Sequence, residues 1–304
     1  MLNRRQLWAL LLLTLMWGVN WPMMKLSLQE TTPLFFRAST MFVGACFLLV
    51  FVARRGDRVR PQGREWLTIA LLGLPNVLGW HTLSIFGVQE LASGRAAILG
   101  FTMPIFTVLI GAAFFRERIT RRVLLAVVCA GAAIGLLLWH ELQSLSGRPV
   151  GVAWMACAAA SWALGTVMFR RAHFELTPMV VVTWMLLLGS GVVASLAFAL
   201  EPLPQPGLFS GVMWGSLVYG GLINYGIAQV IWFGMARQLP PATSAMSIMA
   251  IPLVGILSAT VIVGEVPHWQ DWFAMVFVMM AIASVLLPGR STRPEAGVSM
   301  HSAQ

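Results

Sequence analysis

Charge is what this 304-residue chain has least of. Only 10% of its residues are Asp, Glu, Lys or Arg, against about 25% in soluble domains, so a soluble globular fold is excluded. Lysine is rarer still, with Lys25 alone. A phosphate-binding GxxxxGK[ST] loop needs a lysine beside glycines, and Lys25 stands in MMKL, so ATP-driven pumping by this chain is excluded. HExxH, CxxC and GxSxG are absent. Cys46, Cys129 and Cys157 sit singly in apolar runs, which implies packing and neither a disulfide framework nor a metal site. No cofactor is implied. All eleven carboxylates fall in connections or near the ends of apolar runs, so a mid-membrane carboxylate proton relay has no obvious residue. His81 is the one group well inside such a run that can change charge near neutral pH. Proton coupling through His81 and transport driven by the substrate's own gradient both stay open, the second favoured for export.

What the chain has in abundance is apolar length: 58% of residues are hydrophobic and the mean hydropathy is +0.80. A bilayer core about 30 Å thick takes about 20 apolar residues per helix. Runs of that size predict helices at 7–28, 33–53, 66–88, 92–115, 121–139, 150–170, 178–200, 212–236, 240–263 and 270–288. Arg4 and Arg5 before the first run resemble a signal sequence, but no small-residue cleavage site follows, so the run is expected to stay as the first helix. The polar tail, 289–304, is expected to be disordered and cytoplasmic.

The net charge of +9 is distributed by side of the membrane. With a cytoplasmic N-terminus, sixteen arginines fall on that side, among them Arg54, Arg55, Arg58, Arg60, Arg64, Arg121, Arg122, Arg170 and Arg171, and the other side keeps Lys25, Arg37, Arg95 and Arg148. That bias predicts both termini in the cytoplasm of a bacterial cell, with a multi-pass protein in its inner membrane. It also accounts for the positive charge without nucleic acid.

A duplicated pattern runs through the chain. Trp17, Lys25 and Pro33 are spaced eight and eight, as are Trp162, Arg170 and Pro178; Pro104 precedes Glu117 by thirteen residues, and Pro252 precedes Glu265 by thirteen. The offsets are 145 early and 148 late. Halves with an odd number of helices insert in opposite senses, which predicts inverted repeats of the kind found in secondary transporters. The expected fold is therefore an all-α integral membrane protein with ten transmembrane helices, arranged as two inverted five-helix repeats, 7–140 and 150–288, around a central cavity.

The MWGVNWPMMK segment (Met16–Lys25), the PLFFR start of the second helix (Pro33–Arg37) and the two Pro-x12-Glu stretches resemble EamA-type transporters of the drug/metabolite transporter superfamily. The resemblance covers both halves. It implies a cavity lined by helices 1, 3, 4, 6, 8 and 9, and export of amino acids, other metabolites or drugs; the substrate does not transfer across so broad a family. Metabolite export by alternating access is the leading expectation. Efflux of hydrophobic or cationic drugs is second, because a cation lacks a midplane carboxylate. A channel or a membrane-embedded enzyme ranks below both. The expected partners are a small-molecule substrate and the bilayer, with the chain a monomer or homodimer.

Polar and aromatic side chains inside the runs are the candidate substrate ligands, since each costs free energy in hydrocarbon without a partner or purpose. Asn20, Asn76, His81, Asn224 and Gln229 qualify, together with Trp17, Trp21, Trp80, Trp162 and Tyr225. Trp17, Asn76, Trp162 and Asn224 fall near the middle of their helices, as a midplane site requires. The plainer alternative is interhelical hydrogen bonding and aromatic packing. Pro104 and Pro252 are expected mid-helix as a pair of hinges, or as tolerated kinks. Lys25, Arg37 and Arg95 are expected at the outer mouth, drawing an anionic group or snorkelling. Glu117 and Glu265 offer gate latches, with ordinary pairing or solvation as the alternative. GAAIG (Gly131–Gly135) is expected to pack inside the bundle in preference to a second protomer.

Overall fold

A computed structural model describes residues 4–115, 120–143, 148–236 and 241–286 of the chain, and the described residues are helical with short connections. In chain order the helices are α1 (Arg4–Ser27), α2 (Pro33–Arg54), α3 (Glu65–Glu90), α4 (Ser93–Gly100 and Met103–Phe115), α5 (Arg121–Gln143), α6 (Pro149–Arg171), α7 (Pro178–Leu200), α8 (Gly211–Met235), α9 (Pro241–Ile262) and α10 (Trp269–Leu286). The first eight are long and apolar enough to cross a membrane; Ala250–Ile262 in α9 and Trp269–Ser284 in α10 are shorter apolar stretches. The starts are written in sequence. α2, α6 and α7 each begin on a proline, where the missing N–H is no loss. The Thr177 and Ser210 hydroxyls accept from Val180 N–H and Met213 N–H at the starts of α7 and α8.

Helices pack in a repeating pattern of partners: α1 on α9 and α8, α6 on α4 and α3, α2 on α7 and α8, α3 on α7, and α5 on α10. Glycines set the closest approaches. A side chain at Gly44 of α2 would collide with Tyr225 of α8, and one at Gly189 of α7 with Val77 of α3.

Contacts gather the C-termini of the odd-numbered helices and the N-termini of the even-numbered ones at one end, the far end. Lys25 Nζ donates to the carbonyls of Val88, Gln89 and Leu91 at 2.9, 2.9 and 2.8 Å, closing the end of α3. The Glu201 carboxylate accepts from the Leu34 and Phe35 N–H groups at the start of α2 (3.0 and 3.1 Å). That of Glu265 accepts from Ser93 and Gly94 N–H at the start of α4 (2.7 and 3.1 Å). Glu30 accepts from Ser210 N–H (2.8 Å) and Ser210 Oγ at the start of α8. Those bonds, the hydroxyl first, hold the Glu30 carboxyl below the ordinary glutamate value. The opposite end is joined by Trp184 Nε1–H donating to Val59 O (2.7 Å) and by Arg58 paired with Glu65 and Glu175.

Two expectations are corrected here. Pro104 does not sit mid-helix: α4 breaks at Phe101–Thr102, where Thr102 N–H and Oγ1 both turn back to Leu99 O, and Pro104 is the second residue of the new segment. A proline disfavours helical backbone at the residue before it but fits the first turn of a helix, so the chain restarts there. Pro252 does lie inside a continuous helix, α9. Gly131 and Gly135 do not pack inside the bundle. Both are exposed with open space where a side chain would begin, because α5 turns Ala126, Cys129, Ala130, Ala133 and Leu137 inward against α10.

Candidate functional site

Two of the helices are wound differently in their middles. Leu74–Gly79 in α3 and Tyr219–Ile227 in α8 are π-helical, and these segments carry Asn76 and Asn224. In α3 the cause is Pro75, whose missing N–H breaks the i→i−4 ladder. The wider winding is repaired from outside it: Trp80 N–H bonds to Pro75 O, Ser161 Oγ of α6 donates to Pro75 O (3.0 Å), and Asn76 Nδ2 donates to Leu72 O (3.0 Å). In α8 the segment begins at Tyr219-Gly220-Gly221, with the glycines against Thr40 and Val43 of α2. π segments within α-helices occur frequently at functional sites, because the extra residue re-aims the side chains beyond it.

At and beyond these segments the structure assembles a string of side chains. The Tyr225 hydroxyl shares a hydrogen bond with His81 Nδ1 (2.9 Å), their rings edge to face. Arg37 Nη1 donates to the same hydroxyl (2.9 Å), and Nη2 to Ser84 Oγ (3.2 Å) and Met24 Sδ (3.1 Å). Trp80, next to His81, meets Trp162 of α6 with ring centroids 5.5 Å apart; Trp17 meets Trp232 of α8, also at 5.5 Å. Helices α1, α2, α3, α6 and α8 therefore all contribute side chains to one region.

The predicted candidates divide according to what their polar atoms do. Asn76 is committed to its own helix and lies against Gly165, where a larger residue would strike its amide. Trp21 is buried against Gly100 of α4 and Gly255 of α9, and so belongs to the packing between α1 and its neighbours. Asn20 and Asn224, each 9% exposed, make no side-chain hydrogen bond among the described residues, and their amide atoms keep some accessible surface. Gln229, half-buried one turn beyond Tyr225, is likewise unbonded. No hydrogen bond joins Asn20 or Asn224 to the Arg37 cluster.

The three basic residues expected at a mouth are employed otherwise. Arg37 is only 3% exposed and turned into the bundle, because the Tyr225 hydroxyl and Ser84 give its guanidinium acceptors there. Lys25 closes the end of α3, as described above. Arg95 is bound on both sides, its Nε donating to Asp271 Oδ1 (2.7 Å) and its Nη1 to Glu141 Oε1, which leaves no free charge to draw an anion. Of the two glutamates considered as latches, Glu265 spans from the α9–α10 connection to α4, and Glu117 lies outside the described residues. An apolar groove of about 370 Å³ lies between Phe35, Ala38 and Phe42 of α2 and Leu187, Ala194 and Phe198 of α7, and it contains none of the candidate residues.

Sequence reasoning missed the two π segments and the helix-capping roles of Glu30 and Glu201. Proline within the LPNVLG run was a usable signal for the first; a carboxylate capping a distant helix leaves no local pattern.

The EamA-like transporter family matches over residues 5–139 and again over 149–287. A probable terminal-alkyne amino-acid exporter of Streptantibioticus cattleyicolor is 29% identical over 95% of this chain and 94% of its own. The uncharacterized transporter YoaV of Bacillus subtilis is 26% identical over 80% and 83%, and the uncharacterized inner membrane transporter YedA of Escherichia coli K12 is 26% identical over 92% and 90%. A solved crystal structure, 20% identical, superposes with a TM-score of 0.64 over 90% of this chain and 94% of that one, and so shares the fold.

Proposed function

The chain belongs to the EamA-like transporter family and is a multi-pass membrane transporter, and from that premise we propose that it is a secondary carrier that exports small metabolites such as amino acids by alternating access, without ATP hydrolysis. Its architecture is two inverted five-helix repeats, and its N-terminal end, where the arginines gather, faces the cytoplasm.

The observation that carries this reading is the pair of asparagine-bearing π segments in α3 and α8, 148 residues apart. Around them the packing partners map onto one another when each helix is replaced by the one five places on: α1 on α9 becomes α6 on α4, and α3 on α6 becomes α8 on α1. Single contacts follow the same rule. Gly44 against Tyr225 corresponds to Gly189 against Val77, at offsets of 145 and 148. By the same offsets Gly165, which lies against Asn76, corresponds to Asn20, and Asn76 to Asn224. Where one half closes around a glycine, the other has a second asparagine, and those two amides, like that of Gln229, are unbonded. They lie on α1 and α8, which pack together and carry the Trp17–Trp232 pair, a combination of amide and aromatic surface suited to an amino or carboxyl group on a compact substrate. The amino-acid exporter among the relatives supports that class. Cationic drugs fit less well, since the charged side chain buried in this region is Arg37.

Counterflow of labelled amino acids in proteoliposomes tests the proposal. The wild type is expected to show saturable counterflow, and Trp17→Ala or Asn224→Ala to reduce it about 10-fold or more, the effect of about 1.4 kcal/mol of lost binding, with insertion and monodispersity unchanged. Wild-type activity in both variants would reject this site, and uncoupled conductance in place of saturation would reject the carrier reading.

A further inference from the structure

Arg37 is a buried cation without an anion. It is 3% exposed, it takes part in no ion pair among the described residues, and its Nε is fully buried with no hydrogen-bond partner. Its other contacts are to neutral groups: a phenol, a hydroxyl and a thioether. A charge withdrawn from water is ordinarily paired, and the other cations inside the helix ends are satisfied, Arg95 by two carboxylates and Lys25 by three carbonyls.

The molecule's own second copy of the arrangement has no arginine at the matching position. At the offsets of 145 and 148, Arg37 corresponds to Val182 and Tyr225 to Val77, Val77 buried in the apolar core shared by α2, α3 and α7 and Val182 half-buried against it. The fold therefore has valines at both matching positions in one half. In the other half it places an arginine and a tyrosine.

We propose that Arg37, flanked by Tyr225 and Ser84, is the carboxylate subsite of the transport site, so that the cargo is a carboxylic acid whose anionic group completes the guanidinium's shell. This rests on the carrier reading above and deepens it. The thioether of Met24, a weak acceptor on a flexible side chain, occupies a position on Nη2 that a carboxylate oxygen would take. Asn20 stands one helical turn before Met24 on the same face of α1, and its amide is unbonded. A carboxylate on Nη2 and Nε would form the two-pronged pair that guanidinium groups favour. Tyr225 would hold Nη1 in place, itself fixed by His81.

The test is counterflow in proteoliposomes with probes that differ only in the acid: a panel of α-amino acids, their methyl esters and their decarboxylated amines. Wild type is expected to prefer each transported acid over its ester and amine by about 10- to 100-fold, the range of a charge-assisted hydrogen bond. Arg37→Gln should abolish that preference, and Arg37→Lys, which keeps the charge without the fork, should retain part of it. Met24→Ala should tighten the apparent affinity for acids and leave that for amines unchanged, which keeps the test decisive if Arg37→Gln folds poorly. If wild type prefers the acids and Arg37→Lys, Arg37→Gln and Met24→Ala all keep the same preference, the subsite is wrong and the carrier reading stands. If wild type moves the amines or esters as well as the acids, the subsite is overturned and transport itself is upheld.

Discussion

The far end of the bundle is closed by carboxylates that reach from one connection to the start of another helix, and Glu265 is the one whose removal bears most directly on transport. Its two oxygens accept from Ser93 N–H and Gly94 N–H, binding the α9–α10 connection of the second half to α4 of the first. Glu265→Gln preserves size but not capacity. The amide oxygen satisfies one N–H, and the amide NH2 faces the other, donor against donor. A hydrogen bond to a charged group is worth about 1.5–3 kcal/mol and a helix cap about 0.5–2 kcal/mol. The residue is half-buried, so about 1–2 kcal/mol is the reasonable loss. If the far end must part for cargo to leave, that loss moves the closed–open balance about 5- to 30-fold towards open. The assay is labelling of Asn20→Cys, in a background lacking Cys46, Cys129 and Cys157, with a membrane-impermeant maleimide added from the far side. Labelling should quicken several-fold in the Glu265→Gln variant, while labelling from the opposite side slows. An unchanged rate from the far side, together with a lowered melting temperature, would show that Glu265 only caps α4 and that the far end does not open there.

Other perturbations read different links of the argument. Arg95→Ala strands Asp271 and Glu141, whose side chains are each 6% exposed, and losing one side of a buried pair costs about 3–5 kcal/mol. Thermal unfolding in detergent should show a large drop, mostly recovered when Glu141→Gln and Asp271→Asn are added to it. Gly165→Ala drives a methyl group into the Asn76 amide, and overpacking of this kind costs about 1–3 kcal/mol. The variant should melt lower and transport poorly, and adding Asn76→Ala should restore its stability but not its transport.

The helices were legible in the sequence because in hydrocarbon the backbone must satisfy itself, which makes run length nearly sufficient to place a span. The π segments were not, because a helix apolar on all sides has no stripe whose slip would betray an extra residue; only Pro75 left a mark. The fate of Arg37 was hidden for a different reason. Four residues into α2, it had reach enough for water or for the interior, and which one it took depended on Tyr225, a residue 188 positions away. Glu201 and Glu265 are of the same kind, since what they bind is another helix's backbone.

Duplication itself proves the better guide to chemistry, through the places where it fails. Arg37 stands against Val182, Tyr225 against Val77 and Asn20 against Gly165, each pair at a repeat offset and each apolar or absent on one side. Pro104 and Pro252 share an offset too, yet one opens a new helical segment and the other lies inside an unbroken helix. Where the two copies agree, as at Gly44 and Gly189, the residue serves the packing both halves need. Where they disagree, the other half packs with a different residue at the matching position. The asymmetric polar residues buried between corresponding helices are the ones to which the proposed carrier function assigns a role in binding. In this transporter the three polar members of those mismatched pairs lie on α1, α2 and α8, and α1 and α2 both pack against α8.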